Sequence, residues 1–219
     1  MTKKPHSDTS ERLRARIFVE GTMMETSWGK GSVRLKAGLS GVIAGFLIAL
    51  AVASGPASAA TAMKWTFHAG DAYLASLNPS FSPVVAKAEN GDTLALAGTG
   101  TYNPGGRVTG GGLFWHNDSG GNPVHHGTWS AVMVLSYDDF GNALVNSLPR
   151  NFHGGVLVLS VSITPTDVPG VVLGGTLTVT CVLGSDVPAG AEEGITADVP
   201  GVITFGESIH GNTLFVLTP

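Results

Sequence analysis

Gly110-Gly111-Gly112-Leu113-Phe114-Trp115-His116-Asn117-Asp118-Ser119-Gly120-Gly121-Asn122-Pro123-Val124-His125-His126-Gly127-Thr128-Trp129 is the stretch on which the fold turns. Gly120-Gly121 suits a two-residue turn with positive φ, the kind that joins antiparallel strands. A turn centred there pairs residues whose numbers sum to 241. His116 then faces His125, Phe114 faces Gly127 and Gly112 faces Trp129, so each large aromatic covers a glycine. Directly opposed side chains have Cβ atoms about 4.5–5.5 Å apart. In this register Phe114, His116, His125 and Trp129 share one face, which Met133 and Leu135 continue, while His126 points outward with Thr128 and Ser130.

Outward from the hairpin, period-2 alternation recurs and a helical period does not. Residues 154–164 carry Leu157, Leu159, Val161 and Ile163 at odd positions. Residues 174–183 set Leu177, Val179, Cys181 and Leu183 against Thr176, Thr178 and Thr180. One apolar and one polar face is the mark of an antiparallel sheet. Strands are expected at 63–68, 92–97, 107–116, 125–137, 154–164, 174–183, 200–206 and 212–217, about eight in all. Residues 69–88, with Pro79 and Pro83, read as irregular, 138–152 as the longest connection, and 189–194 as one helical turn at most. The expected class is all-β, in one domain over residues 60–219. A barrel is favoured over a two-sheet sandwich, because so few charges are present to guard open edges.

Composition agrees. The chain has 219 residues, 31 of them glycine, and only 13% are charged, against about 25% in an ordinary soluble domain. Eight basic residues fall before residue 37. Only Lys64, Lys87, Arg107 and Arg150 follow residue 59, against twelve acids, which puts the remainder near −8. Phosphate backbones need a basic surface, so no nucleic acid is expected as a partner.

The basic start leads into an apolar run at 37–53, then Ser54-Gly55-Pro56 and the small-residue sequence Ala57-Ser58-Ala59. Basic, apolar and small in that order describe a secretory signal. Residues 1–59 are expected to be that signal, with a long basic region, a helical apolar core and cleavage near Ala59. The mature protein would be secreted, and membrane contact is expected only through an uncleaved signal. Cys181 stands alone in an apolar strand pattern, as a small buried hydrophobe.

Two expectations for function follow from the hairpin. The first is a non-catalytic module that binds a small apolar ligand or a protein partner, with Phe114, His116, His125, Trp129 and Met133 as the candidate binding residues. The second is an enzyme working through the cross-strand histidines, by metal or by acid/base chemistry. Two imidazoles can share a divalent ion if a third ligand joins them. His153 is the candidate, with Asp138 or Asp139 as substitutes. Zinc or copper is the metal such a set would take, and no other cofactor is expected. No G-x-S-x-G, H-E-x-x-H or complete P-loop occurs.

Gly98-Thr99-Gly100-Thr101-Tyr102, Val108-Thr109-Gly110-Gly111-Gly112-Leu113-Phe114 and Gly127-Thr128-Trp129 together resemble small secreted bacterial β proteins of unassigned function. The glycine rhythm is also similar to that of allene-oxide-cyclase-like and dirigent-like barrels. The resemblance covers about a third of residues 60–219 and rests on glycines. It implies a barrel and carries no catalytic residue across.

Overall fold

The computed structural model describes residues 63–218. The expected signal, its apolar run at 37–53 and the cleavage point near Ala59 lie outside them. Ten strands form: β1 (Lys64–Ala69), β2 (Val84–Ala88), β3 (Thr93–Tyr102), β4 (Val108–Asn117), β5 (Pro123–Asn142), β6 (Phe152–Pro165), β7 (Leu173–Cys181), β8 (Gly194–Val199), β9 (Ile203–His210) and β10 (Thr213–Thr218). All belong to one antiparallel sheet, ordered β1-β10-β6-β5-β4-β3-β2-β9-β8-β7, with further pairings β1–β3 and β6–β7. The all-β expectation holds, with ten strands where eight are expected.

The two additional strands are short. Val84 and Ala86 are fully buried and Ala88 nearly so, but five residues directly after Pro83 carry too little alternation to stand out from an irregular segment. Ile195, Ala197 and Val199 are likewise buried along β8. The expected strand at 200–206 straddles the turn between β8 and β9. Within 69–88 a helical segment, α1 (Ala72–Leu77), also forms. Its N-cap is Asp71, which accepts from the Leu74 amide at 3.1 Å and receives His68 Nδ1 at 2.7 Å. Asx capping of this kind satisfies amides that the helix itself leaves open. No helix among the described residues is long and apolar enough to cross a membrane.

The hairpin register is as the sequence predicts: Gly112↔Trp129, Phe114↔Gly127, Trp115↔His126 and His116↔His125 are all paired. The turn itself is larger than two residues. Asn117 pairs with Pro123 across a bulge, and Asp118 Oδ1 accepts from the amides of Gly120 and Asn122 at 2.9 and 2.8 Å. Gly121, at φ 81°, supplies the left-handed corner. Pro123 has no amide to pair, so the strand resumes with one residue in excess and the register beyond is kept.

Further along β5 the expected face fails. Ala131↔Val161 is followed by Met133↔Ser160, and Val134↔Leu159 by Ser136↔Val158. At each step β5 advances two residues while β6 advances one. Each extra residue reverses the alternation. Trp129, Val134 and Tyr137 therefore point into the core, whereas Val132, Met133 and Leu135 are exposed. Met133 and Leu135 do not continue the face of Trp129. β5 also runs on to Asn142, taking in Asp138 and Asp139 from the expected connection.

The core is continuous from Trp65 and Phe67 on β1 through Leu157 and Leu159 on β6 to Val179 and Cys181 on β7. Cys181 is fully buried, and burial pushes its thiol pKa up. Aromatic rings from one strand lie over glycines of another. A Cβ at Gly100 would stand 2.7 Å from Phe67 Cε1, and one at Gly127 would stand 3.0 Å from Phe114 Cε1.

One carboxylate ties two strand ends together. Glu193, just before β8, accepts from the Val182 amide (2.8 Å), the Thr213 amide (2.6 Å) and Thr213 Oγ1 (2.8 Å). Desolvation outweighs these donors and holds the Glu193 carboxyl above the ordinary carboxyl value of 4.5. A carboxyl harder to ionise in the fold than in the unfolded chain makes folding take up protons. Its stabilising contribution is complete below the ordinary carboxyl pKa and is lost as pH rises through the raised value. Urea midpoints of wild type and Glu193→Gln, compared from about pH 4 upward, are expected to show that decline in the wild type alone.

Candidate functional site

At the end of the sheet that carries the β4–β5 turn, inward side chains leave a cavity of about 90 Å³. Its wall is apolar, with Leu94 and Leu96 from β3, Phe114 from β4, Trp129 from β5, Ile163 from β6 and Phe205 from β9. His116 and His125 also stand in the lining, but the surface the cavity presents is almost wholly apolar. The alternation that buries Phe114 and Trp129 brings these two imidazoles to the same wall, because both pairs occupy non-adjacent rows of one register.

Each histidine is held by a carboxylate from a loop. His116 Nε2 lies 3.1 Å from Asp92 Oδ2, in the turn between β2 and β3. His125 Nδ1 lies 2.7 Å from Asp167 Oδ2, in the connection between β6 and β7. A carboxylate offers only lone pairs, so the ring nitrogen facing it carries the proton. The His125 hydrogen bond is the main cause that keeps the Asp167 carboxyl below the usual range. Asp167 also accepts from the His126 amide at 3.4 Å. The His116 side chain is 16% exposed and stands edge-on to Phe205 at 5.4 Å. The His125 side chain is 44% exposed, at the rim. The two rings are 6.2 Å apart between centroids.

Four of the five candidate binding residues, Phe114, His116, His125 and Trp129, therefore line one cavity. Met133 does not, for the bulge places it outside. Asp92 and Asp167 are functional neighbours that sequence reading misses. Neither is near its histidine in the chain, and only loop closure brings them together.

The candidate metal set does not assemble. His153 pairs with Phe215 on one side and Asn142 on the other, at the far end of β5 from His125. There its Nδ1 lies 3.0 Å from Asp139 Oδ1, and its ring meets the Trp65 face edge-on at 4.9 Å. Asp138 and Asp139 are at that same distant end. Among the described residues no group of three or more His, Cys, Asp or Glu side chains is arranged to hold a metal ion.

Trp129 is 4% exposed and its indole N–H has no hydrogen-bond partner among the described residues. Its ring reaches past Gly112, its partner in the register, to Gly98 on β3, where a Cβ would overlap Trp129 Cζ2. His126 faces solvent on the outer surface opposite Trp115. His126→Ala is expected to change stability by no more than about 0.5 kcal/mol, measured by urea denaturation, because a solvent-exposed side chain contributes little.

Comparison of the chain with protein-family models, curated proteins and solved structures finds no match. What fold and cavity define together is an all-β domain with an apolar pocket rimmed by two histidine–carboxylate pairs.

Proposed function

We propose that this protein is a secreted, non-catalytic module that holds a small apolar ligand in the cavity between β3–β6 and β7–β9. The observation that carries the reading is the cavity itself, whose surface is almost wholly hydrocarbon. Apolar pockets with a few convergent polar groups are where small molecules bind. At about 90 Å³ the enclosed space is modest. It is smaller than the roughly 150 Å³ engineered cavity that takes up benzene, so it would enclose only a short chain or part of a ring, with the rest of the ligand at the open rim.

We read the sheet as a closed barrel. The pairings run β3–β4–β5–β6–β7–β8–β9–β2 and back to β3, and β1 with β10 bridges β3 and β6. Closure would leave no long free edge, as a sheet poor in charge requires. The resemblance to allene-oxide-cyclase-like and dirigent-like barrels is in keeping with that circuit. Secretion rests on the basic, apolar and small-residue order of residues 1–59.

Acid/base or metal-assisted catalysis is the second reading, favoured by one observation: His116 and His125 are each oriented by a carboxylate, the arrangement that prepares an imidazole as base or ligand. Mass spectrometry of small molecules extracted from the purified protein, together with its zinc and copper content, separates the two. Stoichiometric apolar ligand without metal is expected. Stoichiometric zinc or copper lost in His116→Ala would overturn the non-catalytic reading.

A further inference from the structure

Two turns at the cavity end of the sheet repeat one sequence. Val168-Pro169-Gly170-Val171 lies in the connection between β6 and β7, and Val199-Pro200-Gly201-Val202 joins β8 to β9. In each, the amide of the last valine donates to the carbonyl of the first, at 3.3 and 2.9 Å. Gly170 and Gly201 stand at φ 80° and 74°. Proline followed by a left-handed glycine under such a bond is the type II turn. Both tips are therefore built in advance and lose little freedom on contact. The ladders set them side by side on the rim, since Ile163 pairs with Leu173, Thr176 with Asp198 and Val199 with Ile203.

What the tips present is hydrocarbon. Val172 is 64% exposed and Val202 63%, and Pro169, Gly170, Pro200 and Gly201 are exposed with them. Val202 also lines the cavity, together with Val199, and Leu173 does so from the other turn. The exposed tips are thus continuous with the cavity wall. The one charged residue within 166–172 and 199–202 is Asp167, which pairs with His125. The neighbouring turns at 89–92 and 118–122 hold Glu89, Asp92 and Asp118, and none of these four segments holds Lys or Arg.

We infer that this end of the domain docks on an uncharged lipid surface, with the two Val-Pro-Gly-Val tips in the bilayer and the cavity mouth against it. Exposed apolar residues that run into a cavity mark a contact surface. Two short turns fall well below the roughly 20–30 residues a side of a stable protein interface. A bilayer has no such threshold, because it takes up apolar tips in proportion to the area they bury. The acids beside the tips, with no cation among them, repel anionic headgroups and leave zwitterionic ones as the match. The inference goes beyond ligand binding and holds whatever the cavity carries.

Environment-sensitive labels on introduced cysteines test it, because the only native cysteine, Cys181, is fully buried. Val172→Cys and Val202→Cys carry the label at the tips. Gly105→Cys carries it in the β3–β4 turn at the opposite end, where a Cβ would meet nothing within 4 Å. The purified full-length protein is mixed with phosphatidylcholine vesicles that hold a quencher on the acyl chains. Both tip labels are expected to be quenched, and the Gly105 label is not. The readout is local, so membrane contact through residues 37–53 does not imitate it. Val172→Asp in the Val202-labelled protein should weaken the quenching midpoint about tenfold, the loss of roughly one buried valine.

Unquenched tip labels, or equal quenching at Gly105, overturn the docking, as does an unchanged midpoint in Val172→Asp. Quenching that needs phosphatidylglycerol in the vesicles overturns the uncharged surface. Tip labels whose emission follows protein concentration alone, and which lipid leaves unquenched, assign this face to a second copy of the chain and overturn the inference too. The apolar cavity reading stands in every one of these cases, since extraction of bound small molecules decides it separately.

Discussion

Trp129→Ala is expected to destabilise the domain by about 3–5 kcal/mol, the usual cost of emptying a large aromatic site, and to be the most damaging single change in the hairpin. Trp129 is 4% exposed, packs 6.3 Å from the Phe67 ring between centroids, and lies between the cavity and the central core. Removing it would join the cavity to the space beside Phe67 rather than let the wall collapse, because the glycines under the ring have no side chains to move in. Urea denaturation of wild type and variant measures the loss. A cost below about 1.5 kcal/mol, the range of volume-conserving swaps, would mean that the ring is not a core element. Small-ligand binding should be lost together with stability, since Trp129 is part of the wall.

Gly98→Ala should cost about 1–3 kcal/mol, the range for overfilling a packed core, although the change adds one methyl group. The new Cβ would overlap Trp129 Cζ2 and stand 2.7 Å from the Gly111 carbonyl oxygen. Neither neighbour moves freely, one being a buried indole and the other a backbone carbonyl in the β3–β4 ladder. The double variant Gly98→Ala/Trp129→Ala should fall short of the sum of the two single costs by about 0.5–3 kcal/mol, the usual coupling of residues in contact, because losing the indole opens half of the space the methyl group needs. Strict additivity in a double-mutant cycle would show that ring and glycine do not touch in solution.

Trp129 makes one contact that is legible in the sequence and one that is not. The pairing of Gly112 with Trp129, like that of Phe114 with Gly127, follows from the hairpin sequence alone, because a short turn between alternating strands leaves few registers open. That Trp129 reaches one strand further, onto Gly98, does not. An indole is longer than the spacing between neighbouring strands of about 4.8 Å, and where its far edge comes to rest depends on the twist and closeness of β3.

Residues 110–129, and the alternation at 154–164 and 174–183, determine by themselves an antiparallel all-β domain, its hairpin register, and the shared wall of Phe114, His116, His125 and Trp129. Those features are local: a period of two along one strand and one turn between two strands are enough to specify them. The tertiary structure alone decided the rest. The β5 bulges that expel Met133 and Leu135 arise because β5 and β6 advance at different rates, which neither strand's own pattern records. His153 is separated from His125 by the length of β5, a distance set by ladder geometry rather than by residue type. Asp92 and Asp167 reach His116 and His125 from loops 24 and 42 residues away in the chain, and a contact made by loop closure over the end of a sheet leaves no period to read.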